Sequence, residues 1–333
     1  MRQLLLKVWY QGAWWLFLFW PFEQLYKLIF KTRKSLYNLF KLPNIHVPIV
    51  VVGNITVGGN GKTPAVIALA SALMARGLKV GVISRGYKGL ETNKVVAVSS
   101  QTNFLACGDE CVLLARHLNC PVYACAKRIK AVRQLIADHN IDVVISDDGL
   151  QHHMPRAVEI AVVDARTGFG NGHCLPVGPL REPLTRLSRV GILLLNEINL
   201  IGDEKPLSLP KLAYKMKLKS KRLVKLNDHQ ETSLTRWQHK HNRVHAATGI
   251  AQPDNFFSLL EKFGFDIIPH RFRDHHPFTR DELDFGDRLP ILMTEKDAVR
   301  CQGYKDMNIW FVRLEAQLEK KLVTQVLNKL NAN

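Results

Sequence analysis

Residues 47–64 read VPIVVVGNITVGGNGKTP, and this stretch decides the fold. From Val47 to Asn54 the chain is a nearly unbroken apolar run of strand length, the pattern of a parallel strand covered on both faces. It passes straight into a glycine-rich loop that ends in Gly61, Lys62 and Thr63. A helical stretch is expected from Pro64 to Arg76, with Gly77 as its stop signal. Strand, glycine loop and helix in that order make a phosphate-binding P-loop. Phosphate needs backbone N–H groups aimed inward with no side chain in the way, a lysine for the β/γ-phosphates, and a hydroxyl to hold Mg²⁺. The nucleotide loop is therefore expected to run through Thr56, Val57, Gly58, Gly59, Asn60, Gly61, Lys62, Thr63 and Pro64. One departure stands out: the GxxxxGKT pattern puts its first glycine at position 56, which is Thr56 here, so the freedom of the loop must come from Gly58 and Gly59.

A second phosphate-facing element follows at residues 142–149, DVVISDDG. An apolar strand ending in paired carboxylates, Asp147 and Asp148, is expected to organise Mg²⁺ beside a P-loop. Ligands bind at the carboxyl edge of such sheets, so both motifs point to one crevice. The alternative is a pair of acids that merely opens a turn.

Strand patterns continue through GVISRGY, VVAVSS, PVYACA, VEIAVVDA and GILLLN, with helical stretches after Gly108 and Arg128. This predicts a doubly wound α/β domain. Beyond about Leu200, Lys215, Lys217, Lys219 and Lys221 alternate with Met216 and Leu218, giving a connecting strand with one cationic face. HAATGI, FDIIPH, PILMT and IWFVRL predict a second, smaller α/β unit, closed by a helix from about Glu315. At 333 residues there is room for two such units. The division expected is 1–40 for an N-terminal segment, 41–210 for the nucleotide core and 211–333 for the basic linker and second unit, with a cleft between the halves.

The N-terminal segment has its own chemistry. The aromatic run between Gly12 and Phe22 is too short for the roughly 20 residues of a spanning helix. It lacks the small-residue cleavage site of a secretory signal. Trp14, Trp15 and Trp20 beside Lys27, Lys31, Arg33 and Lys34 give the composition of an interfacial helix on anionic lipid. A helix buried against its own domain is the alternative. The net charge of +17 is consistent with an anionic partner, whether lipid, nucleic acid or a phosphorylated substrate. No RNP, zinc or helix-turn-helix signature supports nucleic acid. The six cysteines form no CxxC pair, and a chain with its own core needs no disulfide framework.

Taken together, GNITVGGNGKTP, ISRGY, the GDE of residues 108–110, DDGLQHH, the PLRE of 179–182, FRDHHPF and the TEKDA of 294–298 resemble the tetraacyldisaccharide 4'-kinases of lipid A biosynthesis, in order and over essentially the whole chain. The resemblance implies ATP, Mg²⁺ and transfer to the 4'-hydroxyl of a tetraacylated glucosamine disaccharide 1-phosphate, forming lipid IVA at the cytoplasmic face of the inner membrane. It also implies site residues. Asp109 is expected to activate the acceptor hydroxyl with His275 as partner, although His276 is adjacent, and Asp109 could instead cap the helix that follows. Arg181 is expected to balance phosphate charge and Glu182 to support the metal or its water, unless they form an ordinary surface pair. Arg128 is a candidate phosphate contact; Tyr87 and Gln151 lie in matched motifs as candidate substrate contacts. A GTPase is the rival reading, but a guanine-reading motif separates its Lys and Asp by one residue, whereas Lys296 and Asp297 are adjacent. The oligomeric state is not legible.

Overall fold

The computed structural model describes residues 8–10, 13–198, 213–228, 230–301, 303–304 and 306–332. The expected boundary near residue 210 lies outside them, as do the first seven residues and Gly12. One sheet carries the architecture. Its strands are β1 (Ile49–Gly53), β2 (Val80–Ser84), β3 (Val96–Val98), β4 (Val122–Ala124), β5 (Val143–Asp147), β6 (Val158–Asp164), β7 (Ile192–Asn196), β8 (Tyr214–Lys225), β9 (Glu231–Ser233), β10 (Arg243–Thr248), β11 (Asp266–Arg271), β12 (Ile291–Thr294) and β13 (Ile309–Leu318). The longer helices are α1 (Trp20–Leu39), α2 (Lys62–Met74), α3 (Asp109–His117), α4 (Arg128–Asp138), α5 (Pro253–Lys262) and α6 (Lys320–Asn331).

Strand order is β11-β10-β12-β13-β8-β7-β6-β1-β5-β2-β4-β3, with β9 paired to β8. Pairing is parallel throughout except at β13/β8, β8/β9 and the edge pair β3/β4. The sheet is therefore continuous through both halves of the chain, and the lysine-rich β8 is the seam: it runs parallel to β7 and antiparallel to β13. Met216 and Leu218 face the core, Lys215 pairs with Glu197 at 3.2 Å, and past a shift in register Lys221, opposite Leu314, lies over the Phe263 ring. The C-terminal helix begins at Lys320, not near Glu315. IWFVRL continues as strand to Leu318 because it keeps its pairing with β8 past an irregularity at Glu315/Ala316.

β1 shows why an unbroken apolar run becomes a central strand. Val50 and Val52 face a core shared with Ala65, Leu69 and Leu73 of α2 and Leu322 and Val326 of α6. Ile49 and Val51 face the other, with Val132 and Leu135 of α4 and Leu150. Both faces are covered, so every position must be apolar. Each such side chain contributes roughly 1.5–3 kcal/mol of burial. Two further clusters sandwich β10, β12 and β13.

α1 is held by polar contacts and is apolar outside. The buried Glu23 carboxylate accepts from the Cys174 backbone N–H at 2.7 Å and pairs with His173 at 3.0 Å and Lys27 at 2.7 Å. The Tyr26 hydroxyl donates to the Arg181 carbonyl at 2.8 Å. Yet Trp14, Leu18, Trp20, Phe22, Leu25, Leu28, Ile29, Leu36, Leu39 and Phe40 are all exposed. The helix is thus docked on its own protein along one line and open along the rest, combining the two alternatives that the sequence offers. No helix among the described residues is long and apolar enough to cross a membrane.

Candidate active site

The glycine loop joins the end of β1 to α2, which begins at Lys62, two residues before the expected Pro64. Gly58 and Gly61 have φ of 124° and 83°, backbone that L side chains rarely adopt. A Cβ on Gly61 would also collide with the Asn196 side chain at the end of β7, and Asn196 Nδ2 donates to the Asn60 carbonyl at 3.1 Å. Thr56 takes the place of a glycine because its side chain is buried and structural. Its hydroxyl is bonded by the Asn60 amide and by Asn54 Nδ2 at 3.3 Å. The loop is clamped from outside by the Val57 N–H on the Pro179 carbonyl at 2.7 Å and the Arg181 N–H on the Ile55 carbonyl at 2.6 Å. The PLRE segment thereby meets the nucleotide loop.

Lys62 Nζ donates to Asn54 Oδ1 at 3.2 Å and lies 3.6 Å from Asp148 Oδ1. Arg181 Nη1 reaches the other oxygen of Asp148 at 3.4 Å. Burial pushes the Asp148 carboxyl up, but Lys62, Arg181 and Arg128 outweigh it and hold its pKa below the ordinary value. Asp147 has the opposite fate. It is fully buried at the end of β5, with Ser84 Oγ 3.4 Å from Oδ2 and no partner for Oδ1. Burial first, then Glu110 and Asp148, raise its pKa from 3.8 to about 7. Two adjacent acids thus differ because at Asp148 the cations outweigh burial, whereas at Asp147 burial and the neighbouring carboxylates outweigh the cations.

The raised carboxyl makes a stability prediction. Below its unfolded value of 3.8, Asp147 is protonated in both states and costs nothing; as pH rises towards 7 the native protein must hold a proton the unfolded chain has lost. In metal- and nucleotide-free protein this penalty reaches an upper bound of roughly 4 kcal/mol. Asp147→Asn removes it. Thermal unfolding should show the variant more stable than wild type at pH 8, with the gap closing by pH 4, while turnover is lost. An equal gap at both pH values would refute the shift.

Two of the expected site residues are engaged by protein partners, Arg128 behind the cavity wall and Glu182 on it. Arg128, expected on phosphate, is buried beneath the site and does not line the cavity; it donates to the carbonyls of Cys125 at 3.2 Å and Asp147 at 3.1 Å, holding the end of β5. Glu182, expected to support a metal, has both oxygens engaged, Oε1 by Gln151 Nε2 at 3.0 Å and Oε2 by Arg186 at 3.3 Å. Gln151 also donates to the Asn54 carbonyl at 2.9 Å, so its amide ties Glu182 to the nucleotide loop.

On the far side of the cavity lies the pair from the two halves of the chain. His275 Nδ1 is 2.8 Å from Asp109 Oδ2, whereas His276 turns away to Glu282 at 2.9 Å. Asp109 opens α3 but makes no side-chain cap; the cap position is Gly108. Arg300 Nε lies 3.2 Å from the same oxygen. Burial alone would push the Asp109 carboxyl up, but the His275 hydrogen bond and the charges of Lys296 and Arg300 bring its pKa below the ordinary value. Asp109 Oδ1 is buried with no partner. Tyr87 packs edge-on to the His275 ring at 5.6 Å. Among the described residues, the non-glycine positions with positive φ are Lys88, Asp148 and His275, at 64°, 49° and 62°, and all three belong to this region. Such backbone costs energy and concentrates at functional sites.

The TEKDA segment holds residues whose roles emerge only from the fold. Thr294 caps the turn, Glu295 pairs with His117 at 2.9 Å, and Asp297 is fully buried. Asp297 accepts from Thr248 at 2.7 Å, the Gly249 N–H at 3.1 Å and Arg300 at 2.8 Å. Lys296 points into the site. Asn54 and Glu110, which lie in the GNITVGGNGKTP and GDE motifs, and Asn196, which has no sequence signal of its own, likewise join the site.

A single cavity of about 900 Å³ joins these parts: the loop from Val57 to Pro64, Asp147 and Asp148, Tyr87, Gln151, Arg181, Glu182, His275 and Lys296. Its wall continues onto Tyr26, Phe30, Arg33, Lys34 and Tyr37 of α1. Asp109 sits one layer behind, screened by His275. Among the described residues no group of three or more His, Cys, Asp or Glu is placed to hold a metal by itself.

Residues 15–331 match the family described as tetraacyldisaccharide-1-P 4'-kinase, LpxK. A tetraacyldisaccharide 4'-kinase of Hahella chejuensis is 39% identical over 98% of this chain and 96% of its own length. That of Alcanivorax borkumensis is 42% identical over 96% and 95%. A crystal structure of LpxK from Aquifex aeolicus in complex with ATP superposes with a TM-score of 0.78 at 28% identity, covering 94% of this chain and 98% of that one. The chain belongs to the tetraacyldisaccharide 4'-kinase family.

Proposed function

We propose that the protein is the ATP-dependent kinase that phosphorylates the 4'-hydroxyl of a tetraacylated glucosamine disaccharide 1-phosphate, giving lipid IVA, and that it works from a membrane surface. The observation that carries this reading is the cavity itself. A P-loop with Lys62, the Asp147/Asp148 pair and the Asp109–His275 pair surround one space whose wall runs onto a helix with an exposed apolar face. A nucleotide-only enzyme has no use for the last two parts.

ATP fits the loop: the N–H groups of residues 58–63 take the phosphates, and Lys62 exchanges Asn54 and Asp148 for the β/γ-oxygens. Mg²⁺ fits a set of hard oxygen donors completed by nucleotide, namely the Thr63 hydroxyl with Asp147 and Asp148. The partnerless Asp147 Oδ1 supports this, as does the lack of an all-protein cage among the described residues. The ion would neutralise charge on the phosphate oxygens. Arg181, already on Asp148, adds a fork-shaped cation at the same place. The acceptor hydroxyl gives its proton to the Asp109–His275 pair, and Tyr87 and Gln151 flank the acceptor. Each part of the chain then has its own role. Residues 41–210 hold nucleotide, 211–333 bring His275 and Lys296, and 1–40 meet lipid.

Phosphorus-labelled ATP incubated with Mg²⁺ and the tetraacyl disaccharide 1-phosphate should label the sugar; label released only as inorganic phosphate would refute the assignment, and GTP serving equally would reopen the GTPase reading. Removing residues 1–40 should release the protein from anionic vesicles, because the exposed Trp, Phe and Leu side chains and Lys27, Lys31, Arg33 and Lys34 leave together. Sedimentation of the truncated protein with vesicles would place the anchor elsewhere.

A further inference from the structure

Lys296 is the ammonium that touches both sides of the acceptor end of the cavity. Its Nζ donates to Glu110 Oε1 at 2.9 Å and lies 3.4 Å from His275 Nε2. The turn that carries it is fixed by Asp297, buried under Thr248, Thr294, the Gly249 N–H and Arg300, so Lys296 is held from a rigid base. Around His275 stand Asp109 from α3, its neighbour Asp274, Tyr87 and Lys296, with Arg300 reached through Asp109, Glu110 through Lys296, and Lys88 on the Asp274 carbonyl. Asp274 Oδ1 is 3.7 Å from Nε2, beyond hydrogen-bond range.

Proton roles follow from what each group can do. An ionised carboxylate only accepts, so the His275 nitrogen on Asp109 carries a proton. An ammonium only donates, so the His275 nitrogen on Lys296 carries a lone pair. We propose that Lys296 is a positioning residue of the phosphotransfer, holding His275 as the neutral ring with its proton on Nδ1, so that the Asp109 carboxylate meets a hydrogen-bond donor and not an imidazolium. Burial would favour the neutral amine, but Glu110, Asp109 and Asp274 outweigh it and keep Lys296 charged.

The consequence concerns base strength. A carboxylate in contact with imidazolium is a weaker proton acceptor than one bonded to neutral imidazole, because the full positive charge stabilises its ionised form. Lys296 puts its positive charge 3.4 Å from Nε2, the place a second proton would have to occupy. The ammonium supplies the balancing charge from one bond further away. This rests on the Asp109–His275 pair being the base of the proposed reaction.

The test is the ring ¹⁵N spectrum of histidine-labelled protein at pH 7.5, with His275 assigned by subtraction of His275→Gln. Wild type should show a neutral ring protonated at Nδ1. Lys296→Met should show both nitrogens protonated and lower kcat by roughly tenfold or more, with ATP affinity unchanged; Lys296→Arg, which keeps donor and charge, should restore both. A proton on Nε2 in wild type overturns the inference before any variant is made, so a Met variant that fails to fold does not shield it. A ring that stays neutral in a folded Lys296→Met protein also overturns it and leaves the pair standing. Full kcat in His275→Gln removes the reading beneath it.

Discussion

Lys62→Ala is expected to lower kcat by about 10²–10³-fold or more, the loss that follows removal of a single preorganised donor to developing charge. Lys62 is the only residue of the nucleotide loop whose side chain brings charge to the phosphates, and Asn54 at 3.2 Å pre-aims it. The fold should survive. Asp148, its ion partner at 3.6 Å, keeps Arg181 at 3.4 Å, so the substitution leaves no carboxylate without a cation. Steady-state kinetics with a thermal unfolding control decide the matter. Near-normal kcat in a folded Lys62→Ala protein would remove this loop from the chemistry.

What the sequence makes legible and what it hides divide on physical lines. β1, the loop and α2 can be read because they are contiguous: an apolar run, three glycines and a helix lie within about thirty residues, and local pattern is enough. The continuous sheet cannot be read, since its seam is the pairing of β8 with β13, about ninety residues apart, and nothing local in IWFVRLEAQL says that the strand outlasts Leu314. The partners of Arg128 are hidden for a related reason. An arginine opening a helix near a phosphate site has the right composition for a contact, but only the fold shows its guanidinium against the Cys125 and Asp147 carbonyls. The partners of Glu182, Gln151 and Arg186, are likewise invisible without the fold. Asp297 and Arg300 do leave a trace, an acid and a base three apart on a short turn after a strand, but their buried partners Thr248 and Gly249 come from a different strand. The positive φ of Asp148 and His275 has no sequence signal beyond the tolerance of Asp and His for it.

The Asp109–His275 pair carries the remaining large effect. The two come from opposite halves of the chain, yet stand 2.8 Å apart, and His275 takes up left-handed backbone to get there. Asp109 lies behind the ring with one oxygen unpartnered, and His275 lines the cavity in front of it, so the carboxylate and its ring partner serve one proton transfer. Asp109→Ala and His275→Ala should therefore each lower kcat by about 10²–10⁴-fold with little change in ATP affinity. The double variant should be scarcely worse than either alone, because the second substitution removes nothing from a proton transfer that is already lost. Folding is expected to hold in all three. In Asp109→Ala, Arg300 keeps Asp297 at 2.8 Å and the His276 carbonyl at 2.8 Å; in His275→Ala, Asp109 keeps Arg300 at 3.2 Å. Losses that multiply would mean two independent jobs, and a fall in ATP binding with kcat preserved would place the pair in nucleotide recognition. Either result would leave the acceptor hydroxyl without a base at this end of the cavity and would refute the pair as its proton acceptor.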